Sequence, residues 1–300
     1  MNATPTQSSL SDSQRAALAA RLRRGRDAAP GAIPRRAPGR SELPLSFAQE
    51  QLWFIDQFHN LPTYNIPGLL RLRGPLDAAA LGRAIDQLIA RHETLRTRLV
   101  ANTDGRPIQL IDAAGASELA QLDLSAVPGD QVEQRLREFA VEQALQPFDL
   151  AAGPLFRRTL IRLSATEHAL LIVLHHTIFD GWSFGVLLRE LAACYTEQVT
   201  GVPAGLAELP VQYADYALWE QDRLSGPELA ELAEYWKANL DGLETVQLPT
   251  DRPRPIAADH SGGIEHGHFG STLLQGLREL AKQQGTTPFV VLMATLQALL

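Results

Sequence analysis

The chain is poor in sulfur: its 300 residues hold one cysteine, Cys194, and two methionines. A lone thiol excludes a disulfide framework and a cysteine-based metal cluster, and it fits a reducing compartment, so the fold has to be held by its core. Long apolar runs are lacking as well. None is longer than Ala169 to Leu174, which falls far short of the ~18 residues that a membrane span requires. The polar N-terminus (Asn2, Thr4, Thr6, Gln7) has no charged-then-apolar signal pattern, which makes the cytoplasm the expected location. Positive charge is in the minority, with 27 Lys and Arg against 34 Asp and Glu and a net charge of -7. That balance argues against nucleic acid or an anionic membrane as partner. Missing too are a GxxxxGK[ST] loop, a GxGxxG turn after a strand and an HExxH helix. Nucleotide-binding and zinc-protease readings thereby lose their usual support.

What is present is ordinary globular composition, 45% hydrophobic and 20% charged, at a length that suggests about two domains. Residues 11–24 read as a short helix with a Ser11–Gln14 capping box and an Arg-rich outer face. Residues 25–40, where Pro and Gly interleave with Arg and Ala, read as linker. Residues 1–42 are thus expected to be an N-terminal helix and linker, with the globular part starting near Leu43. Ser46 and Gln49 form a second capping box and open a helix expected to bury Leu52, Trp53 and Phe58. A strand follows at 65–73. Asp77 then caps a helix in which Leu81, Ile85, Leu88 and Ile89 recur at helical spacing, and Leu95 to Val100 before Asn102 to Gly105 reads as strand and hairpin turn. Beyond these the pattern gives a helix at 131–144, strands at 155–163 and 169–174, and helices at 184–199, 211–223 and 227–240. This alternation predicts an α/β fold over 43–248. Pro249 to Pro255 reads as a second linker, followed by one strand (263–269) and two helices, the last starting at Thr287-Pro288 and apolar through Leu300. These are too few elements for a domain, so 249–300 is expected to be a linker and the start of a truncated second lobe of a longer chain.

The sharpest local feature is LHHTIFDGWS, residues 174–183, where a buried strand gives way to a helix, a favoured position for catalytic groups. Strand side chains alternate, so only one of His175 and His176 faces a given cleft while the other packs. One reading is chemical: a neutral imidazole accepts a proton, Asp180 fixes the loop, and Gly181 lets a backbone N–H approach a reacting oxygen. Two others remain open at this point, a packed and hydrogen-bonded histidine pair and a His-His-Asp metal site, the latter weakened by the divergence of adjacent strand side chains.

HHTIFDGWS resembles the HHxxxDG motif of condensation domains in nonribosomal peptide synthetases, members of the chloramphenicol-acetyltransferase-like superfamily. Three further motifs of that family appear in order. SFAQEQLW (46–53) looks like SxAQxRLW, RHETLRT (91–97) like RHExLRT, and YADYALW (213–219) like YxDYAxW. Gln51 and Phe179 depart from the usual residues at positions not expected to do chemistry. The resemblance implies a two-lobed chloramphenicol-acetyltransferase-like sandwich with an incomplete second lobe and the active site between the lobes. It implies amide-bond formation between a donor acyl or peptidyl thioester and an acceptor aminoacyl thioester, each on the phosphopantetheine arm of a peptidyl carrier protein, with no metal or bound cofactor. An adenylation domain is expected downstream, and residues 1–42 are a candidate docking segment for an upstream subunit. His176 is expected to meet the amine, Gly181 to stabilise the oxyanion, His175 to pack, and Asp180 to be a structural support paired with Arg96. Epimerisation relatives keep the histidine pair and are the alternative activity; a catalytically silent docking domain for carrier proteins is another. Among the other motif residues, Arg91 and His92 also fit a helix C-terminus, Tyr213, Tyr216 and Trp219 a core stripe, and Trp182 packing.

Overall fold

Antiparallel pairing organises the first part of the chain. In the computed structural model, residues 33–40, 42–58, 62–245, 248, 250, 252–253, 265 and 267–300 are described; the helix expected at 11–24 and most of 249–255 lie outside them. Leu43–Pro44 (β1), Pro107–Ile111 (β4) and Thr97–Ala101 (β3) form a three-stranded sheet in the order β1-β4-β3. Asn65–Arg73 (β2), Glu167–His175 (β7), Phe156–Arg162 (β6) and Ala120–Asp123 (β5) form a four-stranded sheet in the order β2-β7-β6-β5, parallel only between β5 and β6. The short strands β1 and β5 have no periodicity to announce them and escape the sequence reading. In β7 every residue from Ala169 to His175 is buried, as its unbroken apolar run requires of a strand covered on both faces.

Helices Ala78–Arg91 (α2), Gly129–Leu145 (α3) and Gly181–Thr200 (α4) share one core with this sheet, through Leu81, Ile85 and Leu88, Leu136, and Leu187 and Cys194 respectively. Each such aliphatic side chain contributes ~1.5 to 3 kcal/mol on burial. Helix α2 starts where expected, Asp77 accepting a hydrogen bond from the Ala80 N–H at 2.9 Å, and α4 ends on Gly201 at φ 74°, the left-handed cap that glycine adopts without cost. Helix Phe47–Phe58 (α1) opens on the expected box: the Ser46 N–H donates to Gln49 Oε1 at 3.1 Å and the Gln49 N–H to Ser46 Oγ at 3.2 Å. Its buried face differs from the expectation. Gln49 is buried, Leu52 and Trp53 are partly so, and Phe58 is 66% exposed beside Phe54. At 3.6 residues per turn Phe58 lies half a turn out of phase with Gln49, so a helix seated on Gln49 turns Phe58 outward.

The chain continues through Tyr213–Arg223 (α5), Gly226–Leu240 (α6), Ser271–Gln283 (α7) and Pro288–Leu299 (α8). It falls into two compact units, one through Leu229 and one from Ala230, a division inside α6 and ahead of the expected boundary at 248. In the second unit α7 packs on α8, which Thr287 caps. Of the strand expected at 263–269, Glu265 and Gly267 to Phe269 pair with no strand, and Gly263, Ile264 and His266 lie outside the described residues. Among the described residues no helix is long and apolar enough to cross a membrane.

Residues 33–40 are not a free linker. Arg35 donates to the Pro210 carbonyl at 2.6 Å and to Glu208 at 2.7 Å. Arg36 forks between Glu93 at 2.7 Å and Asp215 at 2.8 Å, and Asp215 is only 3% exposed. Composition misses this because the partners lie 57 and 179 residues away. Burial raises the Asp215 pKa, but the Gln212 N–H and the Arg36 guanidinium outweigh it and hold the carboxyl below its ordinary value. A depressed carboxylate stabilises the fold above its unfolded pKa of ~3.9 and loses that contribution as pH falls through the folded value. Arg36→Met is therefore expected to lower stability by about 2 kcal/mol near neutrality, between the limits for exposed and buried pairs, with a deficit that shrinks as pH drops from 6 to 3.5. Urea melts across that range test it, and a deficit independent of pH would reject the pairing as its source.

Candidate active site

The end of β7 delivers the two histidines to opposite sides. His175 is 2% exposed, with its ring edge-on to Tyr64 and Phe148. Its Nδ1 accepts from the Thr177 N–H at 3.3 Å and lies 2.9 Å from Thr177 Oγ1. A backbone N–H only donates, so Nδ1 carries the lone pair and the ring is the Nε2–H tautomer. Desolvation, with His176 beside it, pushes its pKa down to about 4, and the ring is neutral near pH 7. His176 is exposed, and its backbone N–H is held by the Tyr64 carbonyl at 2.9 Å. Its Nδ1 sits 2.9 Å from the Phe179 carbonyl. That oxygen only accepts, so Nδ1 bears the hydrogen and, in the neutral ring, Nε2 is left with a free lone pair.

Asp180 is the N-cap of α4: its Oδ1 accepts from the Ser183 Oγ–H at 2.5 Å and the Ser183 N–H at 2.8 Å. These bonds, then the nearby His176 and the Trp182 N–H, hold the carboxyl below its usual range despite some desolvation. The expected Arg96–Asp180 pair is not formed. Arg96 closes the 3-10 turn Glu93–Arg96, donates to the Asp112 carbonyl and lies 4.0 Å from Glu93, with its Nε buried and unpaired. The helix N-terminus and Ser183 already satisfy Asp180, and Arg96 is committed to the other sheet. Gly181 is the first residue of α4, among the orphan N–H groups of a helix start. A Cβ built there meets nothing within 4 Å. At Gly68 of β2 the opposite holds, since a Cβ would fall 2.1 Å from Phe184 Cζ; the missing side chain lets the first turn of α4 rest on the sheet.

A cavity of about 410 Å³ opens over His176 and Asp180, and all four sequence motifs reach it, through Ala48 and Leu52, His92 and Thr94, His176, and Tyr213. Polar struts hold its walls. Gln49 Nε2 donates to the Thr177 carbonyl at 3.0 Å, and Ser46 Oγ is 2.9 Å from the Tyr213 hydroxyl. Arg91 and His92 both bind Glu190 of α4, at 3.0 and 2.6 Å, rather than serving the carboxyl end of their own helix. Tyr213, Tyr216 and Trp219 form a half-buried tilted stack, while Ala214, Asp215 and Ala217 make the buried face of α5, so the stripe is not core. Trp182 is 86% exposed, which overturns its expected packing role. Two larger clefts, of about 790 and 660 Å³, lie against Arg35 and Gln212 and do not reach the histidine pair; size alone does not mark the site. Among the described residues no three His, Cys, Asp or Glu side chains are placed to hold a metal ion.

Residues 40–300 match the family model described as Condensation domain. The chain belongs to the condensation-domain family. A linear gramicidin synthase subunit from Brevibacillus parabrevis is 42% identical to the domain over 272 residues, which is 90% of this chain and 5% of that protein. The domain thus spans a small part of that relative. The X-domain from teicoplanin biosynthesis superposes with a TM-score of 0.72 at 28% identity, over 85% of this chain and 56% of that one. The first condensation domain of the CDA synthetase does so with a TM-score of 0.66 at 22% identity, over 86% and 61%, which shows the shared fold. The α/β architecture is that of the chloramphenicol-acetyltransferase-like superfamily, and nonribosomal peptide synthesis is its setting.

The buried His175 gives the condensation domain a pH signature. Its folded pKa of about 4 lies below the unfolded value of ~6.5, so between the two the unfolded chain binds more protons and stability rises with pH. The contribution is complete above ~6.5 and lost toward 4, at most about 3 kcal/mol by linkage. In His175→Gln this part of the pH dependence is expected to vanish. Melts of both proteins at pH 4.5 and 7.5 check it, and an unchanged difference between the two pH values would place the titration elsewhere.

Proposed function

We propose that the domain forms an amide bond between two carrier-bound thioesters. The acceptor's α-amine attacks the donor's thioester carbonyl; the C–N bond forms, the C–S bond breaks, and the amine proton leaves with the pantetheine thiol. The observation that supports this reading is the Phe179 carbonyl holding His176 Nδ1 at 2.9 Å, which leaves Nε2 as an acceptor in the cavity shared by the four motifs. In the proposed sequence Nε2 takes the amine's hydrogen bond and passes the proton to the departing sulfur, while the Gly181 N–H faces the oxyanion. A thioester is already activated, so positioning is the larger contribution, ~7 to 11 kcal/mol, with proton transfer adding ~10²- to 10⁴-fold. The partners in this reading are a donor and an acceptor peptidyl carrier protein presenting phosphopantetheine arms, an adenylation domain that loads the acceptor, and an upstream subunit meeting residues 1–42. No metal or bound cofactor enters the reaction.

A second reading, a docking platform without chemistry, draws on the likeness to the X-domain, which is also known in complex with OxyB and superposes in that form with a TM-score of 0.71. Amide formation with both carrier proteins loaded separates the two. His176→Ala is expected to reduce the rate by ~10²- to 10⁴-fold while leaving the melting temperature unchanged, because the exposed ring supports no core. A variant within a few fold of wild type would reject His176 as the acceptor, and a wild-type chain that forms no amide would favour the platform.

A further inference from the structure

We propose that a side pocket next to His176 is a subsite for a branched aliphatic side chain carried by one of the two thioester substrates, an assignment that rests on the condensation reading above. The pocket, of about 130 Å³, shares His92, Thr94, Ile178, Phe179 and Ser183 with the larger cavity, and adds Leu95, Trp182, Val186 and Leu187 as its own wall. The side pocket therefore adjoins the cavity that holds His176. A cavity of ~150 Å³ holds benzene, so a side chain of four carbons fills this one and an indole exceeds it.

The lining sets the chemistry. Beyond His92, which Glu190 already engages at 2.6 Å, no ionisable side chain faces the pocket. A charged substrate side chain would be desolvated there without a counter-ion, whereas an aliphatic one loses only water. Trp182 supplies a lid edge. Its indole is 86% exposed at the rim, so a side chain entering the pocket can cover part of it. Phe179 connects recognition with reactivity, because its ring walls the pocket while its carbonyl holds His176 at 2.9 Å. A side chain seated against that ring touches the residue whose carbonyl orients the reacting imidazole.

The test uses the full chain with donor and acceptor carrier proteins bearing leucyl or glycyl groups, varied first on the donor and then on the acceptor. Val186, half-buried on the pocket wall, is changed to Phe to fill the space and to Ala to enlarge it. A hydrophobic pocket discriminates one methylene by ~10- to 200-fold; Val186→Phe is accordingly expected to lower the leucyl-to-glycyl ratio of kcat/KM by about 10-fold or more. The arm in which the ratio falls identifies the substrate that occupies the pocket. Independently, leucyl-pantetheine amide is expected to shift tryptophan emission to the blue in wild type but not in Trp182→Phe, and glycyl-pantetheine amide to leave both unchanged. Turnover with a ratio that Val186→Phe leaves unaltered in both arms overturns the subsite and leaves the condensation reading standing. No turnover from any substrate, with the Trp182-dependent shift retained, overturns the condensation reading and keeps the pocket. Absence of the shift together with an unaltered ratio in Val186→Ala overturns the subsite even where Val186→Phe fails to fold.

Discussion

Strand β7 is buried on both faces from Ala169 to His175, and such a strand has one register in which it costs nothing. A slip of one residue would bring His176 into the core and push His175 out, exchanging a ring stripped of water and satisfied by Thr177 for one whose bonds lie in the turn. The pairing of Asn65 with His175 and the bond from the His176 N–H to the Tyr64 carbonyl lock the last step. From there the chain leaves the sheet, turns through Phe179, and enters α4 at Asp180. The tautomers of both histidines are consequences of that exit.

Around this exit the motifs act mainly as struts. Gln49 grips the Thr177 carbonyl, Ser46 meets Tyr213, and Glu190 gathers Arg91 and His92. Burial pushes the Glu190 pKa up, yet its His92 and Arg91 partners outweigh this and keep the carboxylate ionised. Buried polar groups of this kind stabilise little unless all are satisfied, and when satisfied they specify a single arrangement. The acidic residues of two motifs, Glu93 and Asp215, are spent on Arg36, outside the chemistry altogether. Of the motif residues given a part in the proposed chemistry, His176 and Asp180 line the cavity and Gly181 opens α4 next to them.

Elements with a strong period were legible in the sequence. Strand 65–73 and the Asp77-capped helix appear as read, because local spacing alone determines them. Strand alternation shows that one histidine of the pair packs and the other does not, and the resemblance, not the spacing, names His175 as the inward one. Ion pairs are not legible in this way: the resemblance implies Arg96 with Asp180, whereas the 3-10 turn that holds Arg96 directs it to the Asp112 carbonyl. The attachment of residues 33–40 was hidden because low apolar content resembles a linker whether or not its arginines find carboxylates. Phe58 turns outward because helical phase, not residue type, sets the buried face, and Trp182 stays exposed because the size of an indole does not by itself bury it.

The forked contact of Arg36 has a consequence for anyone who recombines such domains. The family model begins at residue 40, and a junction placed there looks safe by homology. It would nevertheless sever the cation that neutralises Glu93 and Asp215, leaving two carboxylates of different motifs opposed in the cleft beside Gln212. A chimera cut upstream of residue 33 keeps the native cation, whereas one cut at 40 inherits whatever residue the donor sequence happens to place there. Compatibility of a graft would then turn on a single position outside the recognised domain.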